Sequence, residues 1–232
     1  MKALLFDVFG TVVDWRASVI GECRRFGREK NLAVDWEVFV DQWRSCYRPG
    51  MDAVRNGKLP WTNVDGIHRA ALERLLEQHS IAGLSEEEKI RLNRAWHRCT
   101  PWPDAVPGLT RLKSRYVLST LSNADVACLV DMAKSAGLPW DCILCAELFR
   151  HYKPDAEVYL GAMELLGLPP AEVMLVAAHN YDLAAARSHG MATAFVPRPR
   201  EYGERQNTDL DAEDDWDLVV ENFEQLAAAL AT

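Results

Sequence analysis

Five short apolar runs punctuate the chain: Ala3–Val8, Tyr116–Leu121, Cys142–Cys145, Val173–Ala177 and Thr193–Val196. Runs of this length suit strands buried on both faces. Between the later runs the apolar residues fall at helical spacing instead. Val126–Ala136 stops at Gly137, Asp155–Leu166 follows Lys153-Pro154 and stops before Gly167, and Leu183–His189 ends at Gly190. Proline opens a helix because no N–H is needed there, and glycine closes one because it tolerates the left-handed turn. A helix between two strands returns the chain to the same end of the sheet, so such strands are parallel. The expectation is an α/β protein with a Rossmann-like three-layer core, helices covering both faces of a parallel sheet.

The first run stands apart from the others. After it, residues 15–99 hold Trp36, Trp43, Trp61 and Trp96, many charges and no strand pattern. Ile67–His79 is apolar at helical spacing, and Ser85 with Glu88 is the signature of a capping box opening another helix. Pro101, Pro103 and Pro107-Gly108 mark the return to the sheet. The predicted organisation is a core of residues 1–14 and 100–232, with a helical domain of residues 15–99 inserted after the first strand. A chain of 232 residues, 49% hydrophobic and 26% charged, suits this plan and a soluble globular class. Near the end, Asp209–Asp217 has six acidic residues in nine and reads as a solvated loop, and Glu221–Leu230 as a closing surface helix.

Charge and cysteine usage bound the partners. The net charge of −8 argues against a nucleic-acid backbone unless a basic patch is hidden, and an anionic small substrate would need local positive charge. No uncharged run reaches the roughly 18–20 residues of a membrane span. The opening Met1–Asp7 is too short and too soon acidic for a secretory segment. Six scattered cysteines then read as buried thiols of a cytoplasmic protein. Cys142 and Cys145 have C-x-x-C spacing, but on a strand positions three apart face opposite sides, so neither a redox nor a zinc site is expected.

In open α/β sheets ligands bind outside the carboxyl ends of the strands, which selects four segments. Asp7 ends the first run ahead of Gly10-Thr11, a place for a nucleophilic carboxylate or for a turn aspartate capping backbone N–H groups. Ser122-Asn123 ends another run ahead of a helix, where N–H groups attract anions, or where the pair is a plain cap. Lys153 precedes Pro154, which forces it to extended geometry; its ammonium could keep a carboxylate ionised, or be a surface lysine. In Ala177-Ala178-His179-Asn180-Tyr181-Asp182, Asp182 opens a helix and can cap it, and His179 could be a base or a hydrogen-bond donor.

Each signal alone is weak, but their order and spacing resemble the haloacid dehalogenase superfamily, and within it the (S)-2-haloacid dehalogenases. Asp7 to Thr11, Ser122-Asn123, Lys153-Pro154-Asp155 and Asp182 follow the family order, and the helical insert resembles the family's cap domain. Most members with such a core are magnesium-dependent phosphatases, which need a second aspartate two residues after the nucleophile and acidic metal ligands in the last motif. Here Phe9 occupies the first position, and Ala177 and Ala178 replace the glycine and first aspartate of the second. Magnesium depends on such carboxylates, so no metal or cofactor is expected. A phosphatase with degenerate motifs is the alternative, followed by a non-catalytic binding protein of the same fold. A Ser122–His179–Asp182 triad is rejected because no nucleophile-elbow sequence surrounds Ser122.

The resemblance implies a mechanism and a set of roles. Asp7 attacks C2 of a 2-haloacid, expels halide with inversion and forms an ester, which water hydrolyses to an (R)-2-hydroxy acid. Lys153 orients Asp7, and Asp182 holds Lys153 or activates the water. Arg44, within Gln42-Trp43-Arg44, and Asn123 hold the departing halide. Thr11 and Ser122 hold the substrate carboxylate, Tyr159 lines the site, and Phe9 and Trp61 border the substrate. Trp15, Trp61 and Tyr181 either exclude water or are ordinary core. A homodimer is implied too. Two departures stand out: Ala177 replaces a serine, and His179 replaces an asparagine, either taking over the placing of water or changing the substrate range toward small or fluorinated acids.

Overall fold

A computed structural model describes residues 1–230. The chain begins with β1 (Ala3–Phe6) and β2 (Val13–Asp14), then enters five helices: α1 (Trp15–Lys30), α2 (Trp36–Ser45), α3 (Tyr47–Arg55), α4 (Val64–Gln78) and α5 (Glu86–Asn93). It returns through β3 (Thr100–Pro101) to α6 (Ala105–Leu112), β4 (Val117–Ser122), α7 (Val126–Ala136), β5 (Cys142–Cys145), α8 (Ala146–Phe149) and α9 (Ala156–Leu166). It closes with β6 (Val173–Ala177), α10 (Asn180–Ser188), β7 (Ala192–Phe195), β8 (Leu218–Val219) and α11 (Phe223–Ala229). Two compact units result: residues 1–14 with the chain from Thr100 onward, and Trp15–Cys99.

In the first unit the six strands form one sheet in the order β5-β4-β1-β6-β7-β8, every neighbouring pair parallel. Both faces are covered. Phe6 meets Trp140 and Phe223 on one side, with ring centroids 5.5 and 5.4 Å away, while Leu5 joins Leu121, Val158, Tyr159, Ala162 and Leu183 on the other. This alternation along one strand is the reason the run is apolar throughout, and it makes the three-layer core. Helix α7 stops at Gly137, whose φ of +69° only glycine adopts freely. Strand β1 lies between β4 and β6, so the chain order reverses there, and the carboxyl ends of these three strands flank the crevice where α/β sheets bind ligands.

Some boundaries differ from the sequence reading. Strand β1 ends at Phe6, although Asp7 N–H still donates to the Val176 carbonyl at 3.0 Å, because the backbone turns at Val8. Helix α10 starts at Asn180, three residues early, which places Asp182 inside the first turn and not at the cap. Strand β8 was not anticipated: two residues beside an acidic run carry no legible period. The acidic loop is largely exposed, as expected, but it is also tethered. Asp209 accepts from the Asn180 N–H at 2.7 Å, Asp217 accepts from the Thr193 N–H at 2.8 Å, and Trp216 is buried between them in sequence. No helix among the described residues is long and apolar enough to cross a membrane.

The second unit is helical, with an aromatic interior. Trp15 stacks on Trp96 at 5.8 Å, Trp43 meets Trp96 edge-on at 5.4 Å, and the Trp43 indole N–H donates to the His68 carbonyl at 2.9 Å. The Ser85–Glu88 capping box opens α5, and Asn63 caps α4 through the Gly66 N–H. Trp61 is half-buried in the segment between α3 and α4.

Candidate active site

At the carboxyl end of β1 the chain turns through Gly10, at φ +90°, and brings Thr11 back over Asp7. The Thr11 hydroxyl donates to Asp7 Oδ2 at 2.7 Å and accepts the Ala178 N–H at 2.9 Å. That hydroxyl, which the family resemblance assigns to the substrate, is therefore committed to orienting Asp7. Lys153 reaches the same carboxylate from the loop between α8 and α9, its Nζ donating to Asp7 Oδ1 at 2.9 Å and to Asp182 Oδ2. Asp182 is completed by the Tyr159 hydroxyl, which donates to Oδ1 at 2.6 Å. Asn123 accepts the Lys153 backbone N–H through Oδ1 at 2.7 Å, which fixes its amide so that the NH2 end is the remaining donor. Ser122 Oγ accepts the Ala124 N–H at 3.2 Å, so its own hydrogen is a donor. Phe9, two residues after Asp7, is buried.

His179 follows β6 and touches the nucleophile candidate as well. Its Nδ1 lies 3.1 Å from Asp7 Oδ2, and its Nε2 lies 2.9 Å from Glu201 Oε2. Glu201, only 1% exposed, escaped the sequence reading. The signal that could have found it is position, since it sits in the loop leaving the carboxyl end of β7. Its backbone N–H donates to the Arg198 carbonyl at 3.0 Å, and Arg198 is itself anchored, Nε to the Thr11 carbonyl at 3.0 Å and its two terminal nitrogens to Asp104 at 2.7 and 2.8 Å. Gly10 makes room for this arrangement, because a Cβ there would overlap the Glu201 carboxylate.

Arg44 and Trp61 belong to the helical unit. The Arg44 guanidinium lies over the Tyr47 ring at 4.2 Å and the Trp15 ring at 4.9 Å, both within the range of cation–π attraction. Trp15 is buried core, and Tyr181 is about half exposed, its ring 5.9 Å from His179.

The charges in the cluster set one another. Burial pushes the Asp7 carboxyl up, but Lys153 and His179 outweigh it and hold Asp7 below the usual carboxylate range. Burial likewise opposes the Lys153 ammonium, and Asp182 and Asp7 overcome it, so Lys153 stays charged well above neutrality. Asp182 is raised, chiefly by burial, with Lys153 partly offsetting and Asp7 adding to the effect. His179 is raised well above the ordinary histidine value because Glu201 and Asp7 outweigh its burial. Burial first, then Asp182, pushes the Tyr159 phenol far up, so it acts only as a donor. The result is an ionised, precisely oriented carboxylate at a sheet switch point. The residues do not fit a magnesium ion, because the Lys153 ammonium lies between the two carboxylates that would have to share the ion, and Phe9 offers no side-chain oxygen.

Three comparisons bear on this cluster. The model of the haloacid dehalogenase-like hydrolases matches residues 1–190. The solved L-2-haloacid dehalogenase PA0810 is 52% identical, with a TM-score of 0.97 and coverage of 100% of this chain and 99% of that one. The defluorinating L-2-haloacid dehalogenase Rha0230 is 44% identical, with a TM-score of 0.97 and coverage of 100% and 96%. The (S)-2-haloacid dehalogenase of Xanthobacter autotrophicus is 28% identical over 203 residues, which is 85% of this chain and 76% of that protein.

Proposed function

Because the chain belongs to the haloacid dehalogenase-like hydrolases, we propose that it is a cofactor-independent hydrolase of the carbon–halogen bond in (S)-2-haloalkanoic acids, with Asp7 as the nucleophile. The observation that carries the reading is the state of Asp7: buried, ionised, held through both oxygens and paired with the Lys153 ammonium. The likeness to two L-2-haloacid dehalogenases at 52% and 44% identity supports it.

Thr11 and His179 hold Oδ2 and Lys153 holds Oδ1, so attack is assigned to Oδ1. It displaces halide from C2 with inversion and leaves an ester on Asp7. Lys153 keeps the carboxylate charged until attack and Asp182 holds Lys153, while Tyr159 holds Asp182. Ser122 donates to the substrate carboxylate. Asn123, through its NH2, and Arg44, which lies over the Tyr47 and Trp15 rings, are assigned to the departing halide, a weakly hydrated monatomic anion. Phe9 and Trp61 are assigned to the apolar surroundings of the substrate. Water then attacks the ester carbonyl and releases the (R)-2-hydroxy acid. We further assign residues 15–99 as the cap, and the enzyme as a cytoplasmic homodimer; six unbridged thiols support a reducing compartment.

The test is halide release from (S)- and (R)-2-chloropropionate in EDTA, beside Asp7→Asn. Release from the (S)-acid alone, lost in the variant, is expected. Magnesium-dependent cleavage of an aryl phosphate with no halide release would replace this reading by the phosphatase. Elution at the mass of one chain in light scattering would remove the homodimer.

A further inference from the structure

We propose that His179 is the base that activates water against the Asp7 ester, and that Glu201 is the positioning residue that makes it one. The inference rests on the reading of Asp7 as nucleophile and adds the second half of the reaction.

The geometry leaves His179 few alternatives. His179 is 6% exposed, and its imidazole lies between two carboxylates, Nδ1 on Asp7 and Nε2 on Glu201. With Glu201 accepting from Nε2, the exchangeable proton is the one on Nδ1, the nitrogen beside the carboxyl to be hydrolysed. Before reaction Asp7 is an anion and Nδ1–H donates to it. Ester formation removes that charge. Of the groups facing His179, Glu201 remains, Lys153 and Asp182 act only from beyond Asp7, and Tyr181 presents a ring 5.9 Å away. With one of its two direct anions gone, the imidazolium releases its Nδ1 proton to solvent and a lone pair faces the ester.

The remaining steps balance. Water oxygen bonds to Cγ as one of its protons passes to Nδ1, while Thr11 donates to the Oδ2 that takes up the negative charge. The Cγ–Oδ1 bond then breaks, and the departing product oxygen takes that proton. The second water proton moves from the regenerated carboxyl to Nδ1, which restores the starting ion pair. Each cycle thus consumes one water and releases one halide and one proton.

The site is built for Glu201. The loop after β7 is fastened by Arg198 to the Thr11 carbonyl and to Asp104, and Gly10 leaves the volume that the Glu201 carboxylate fills. A residue holding the loop alone would not need its carboxylate on the imidazole. A base requires it, because the pairing fixes the tautomer and steadies the imidazolium formed in the step.

The experiment is a rapid-quench single turnover of the full-length enzyme with (S)-2-chloropropionate, following halide and the mass of the Asp7 peptide. In His179→Asn and Glu201→Gln, matched to the native enzyme in melting temperature, release of the first equivalent of halide is expected to slow far less than ester hydrolysis. The ester then persists, its hydrolysis slowed by about 100-fold or more in His179→Asn. In Glu201→Gln the acid limb of ester hydrolysis moves to lower pH while the plateau falls, since His179 has lost an anion; a merely structural role would lower the plateau without moving the limb. Ester formation slowed as much as ester hydrolysis, or a limb that stays in place, overturns the proposal. Halide released with no ester on Asp7 in any variant overturns the nucleophile assignment, and this inference with it.

Discussion

Replacing Lys153 with methionine keeps much of the side chain's length and removes its charge. Lys153 is 3% exposed and bridges Asp7 and Asp182, which are 7% and 0% exposed, so the variant leaves two buried carboxylates facing one another. Removing one partner of a buried ion pair costs about 3–5 kcal/mol. The variant can offset part of this by binding a proton, because burial and mutual repulsion both raise a carboxyl pKa. In the native protein Asp7 is depressed from 3.8, so its contribution is present above that pH and lost as pH falls further. Lys153 is raised from 10.5, so its contribution is present below that pH and lost as pH rises beyond it. Neither changes the native stability between about pH 5 and 8, and the contribution of His179 drops out of the difference to the extent that both proteins share it. The variant in that window holds a proton that unfolding releases, so its stability rises as pH falls. Urea unfolding followed by circular dichroism should show a deficit of about 3–5 kcal/mol at pH 8, shrinking by roughly 1.4 kcal/mol per pH unit while the proton is taken up. A deficit below about 1 kcal/mol, or one equal at both ends of the range, would refute the view that Lys153 neutralises two buried anions.

Three further outcomes are expected. Gly10→Ala forces a side chain into a left-handed backbone and against the Glu201 carboxylate; it should cost about 1–3 kcal/mol in chemical denaturation and slow ester hydrolysis more than halide release. Tyr159→Phe removes the hydroxyl on Asp182 Oδ1; a hydrogen bond to a charged group contributes about 1.5–3 kcal/mol, and calorimetry should show melting lowered by about 2–4 °C for each kcal/mol lost. Asn123→Ala leaves the buried Lys153 N–H without its acceptor, a loss of about 1–3 kcal/mol, and should reduce kcat for halide release more than it raises KM.

Much of the fold can be read from periodicity. Cys142–Cys145 and Val173–Ala177 coincide with β5 and β6, and Val126–Ala136 with α7, because an acidic residue precedes each apolar run (Asp141, Glu172 and Asp125) and Gly137 closes the helix. Strand β8 is too short for a period to show, and the start of α10 is masked because Asn180 and Asp182 are polar yet buried. Asp7, Lys153 and Asp182 were legible as a set, since they follow one another in the order of a known motif and lie beyond the carboxyl ends of strands. Thr11 was legible as a site residue, but the bond it makes was not.

Glu201 shows where sequence reasoning stops. Nothing local distinguishes it from the neighbouring charged residues of an exposed-looking segment, Arg198 to Glu204. Its role exists because parallel strands β1, β6 and β7 bring together a turn at residue 10, a histidine at 179 and a loop at 201. Local pattern determined most strands and helices, their alternation and the motif around Asp7, because dihedral preference and burial period act over a few residues. The tertiary structure decided which charges meet, because Coulomb interaction and desolvation depend on distance in space, and the carboxylate paired with His179 lies 22 residues away along the chain.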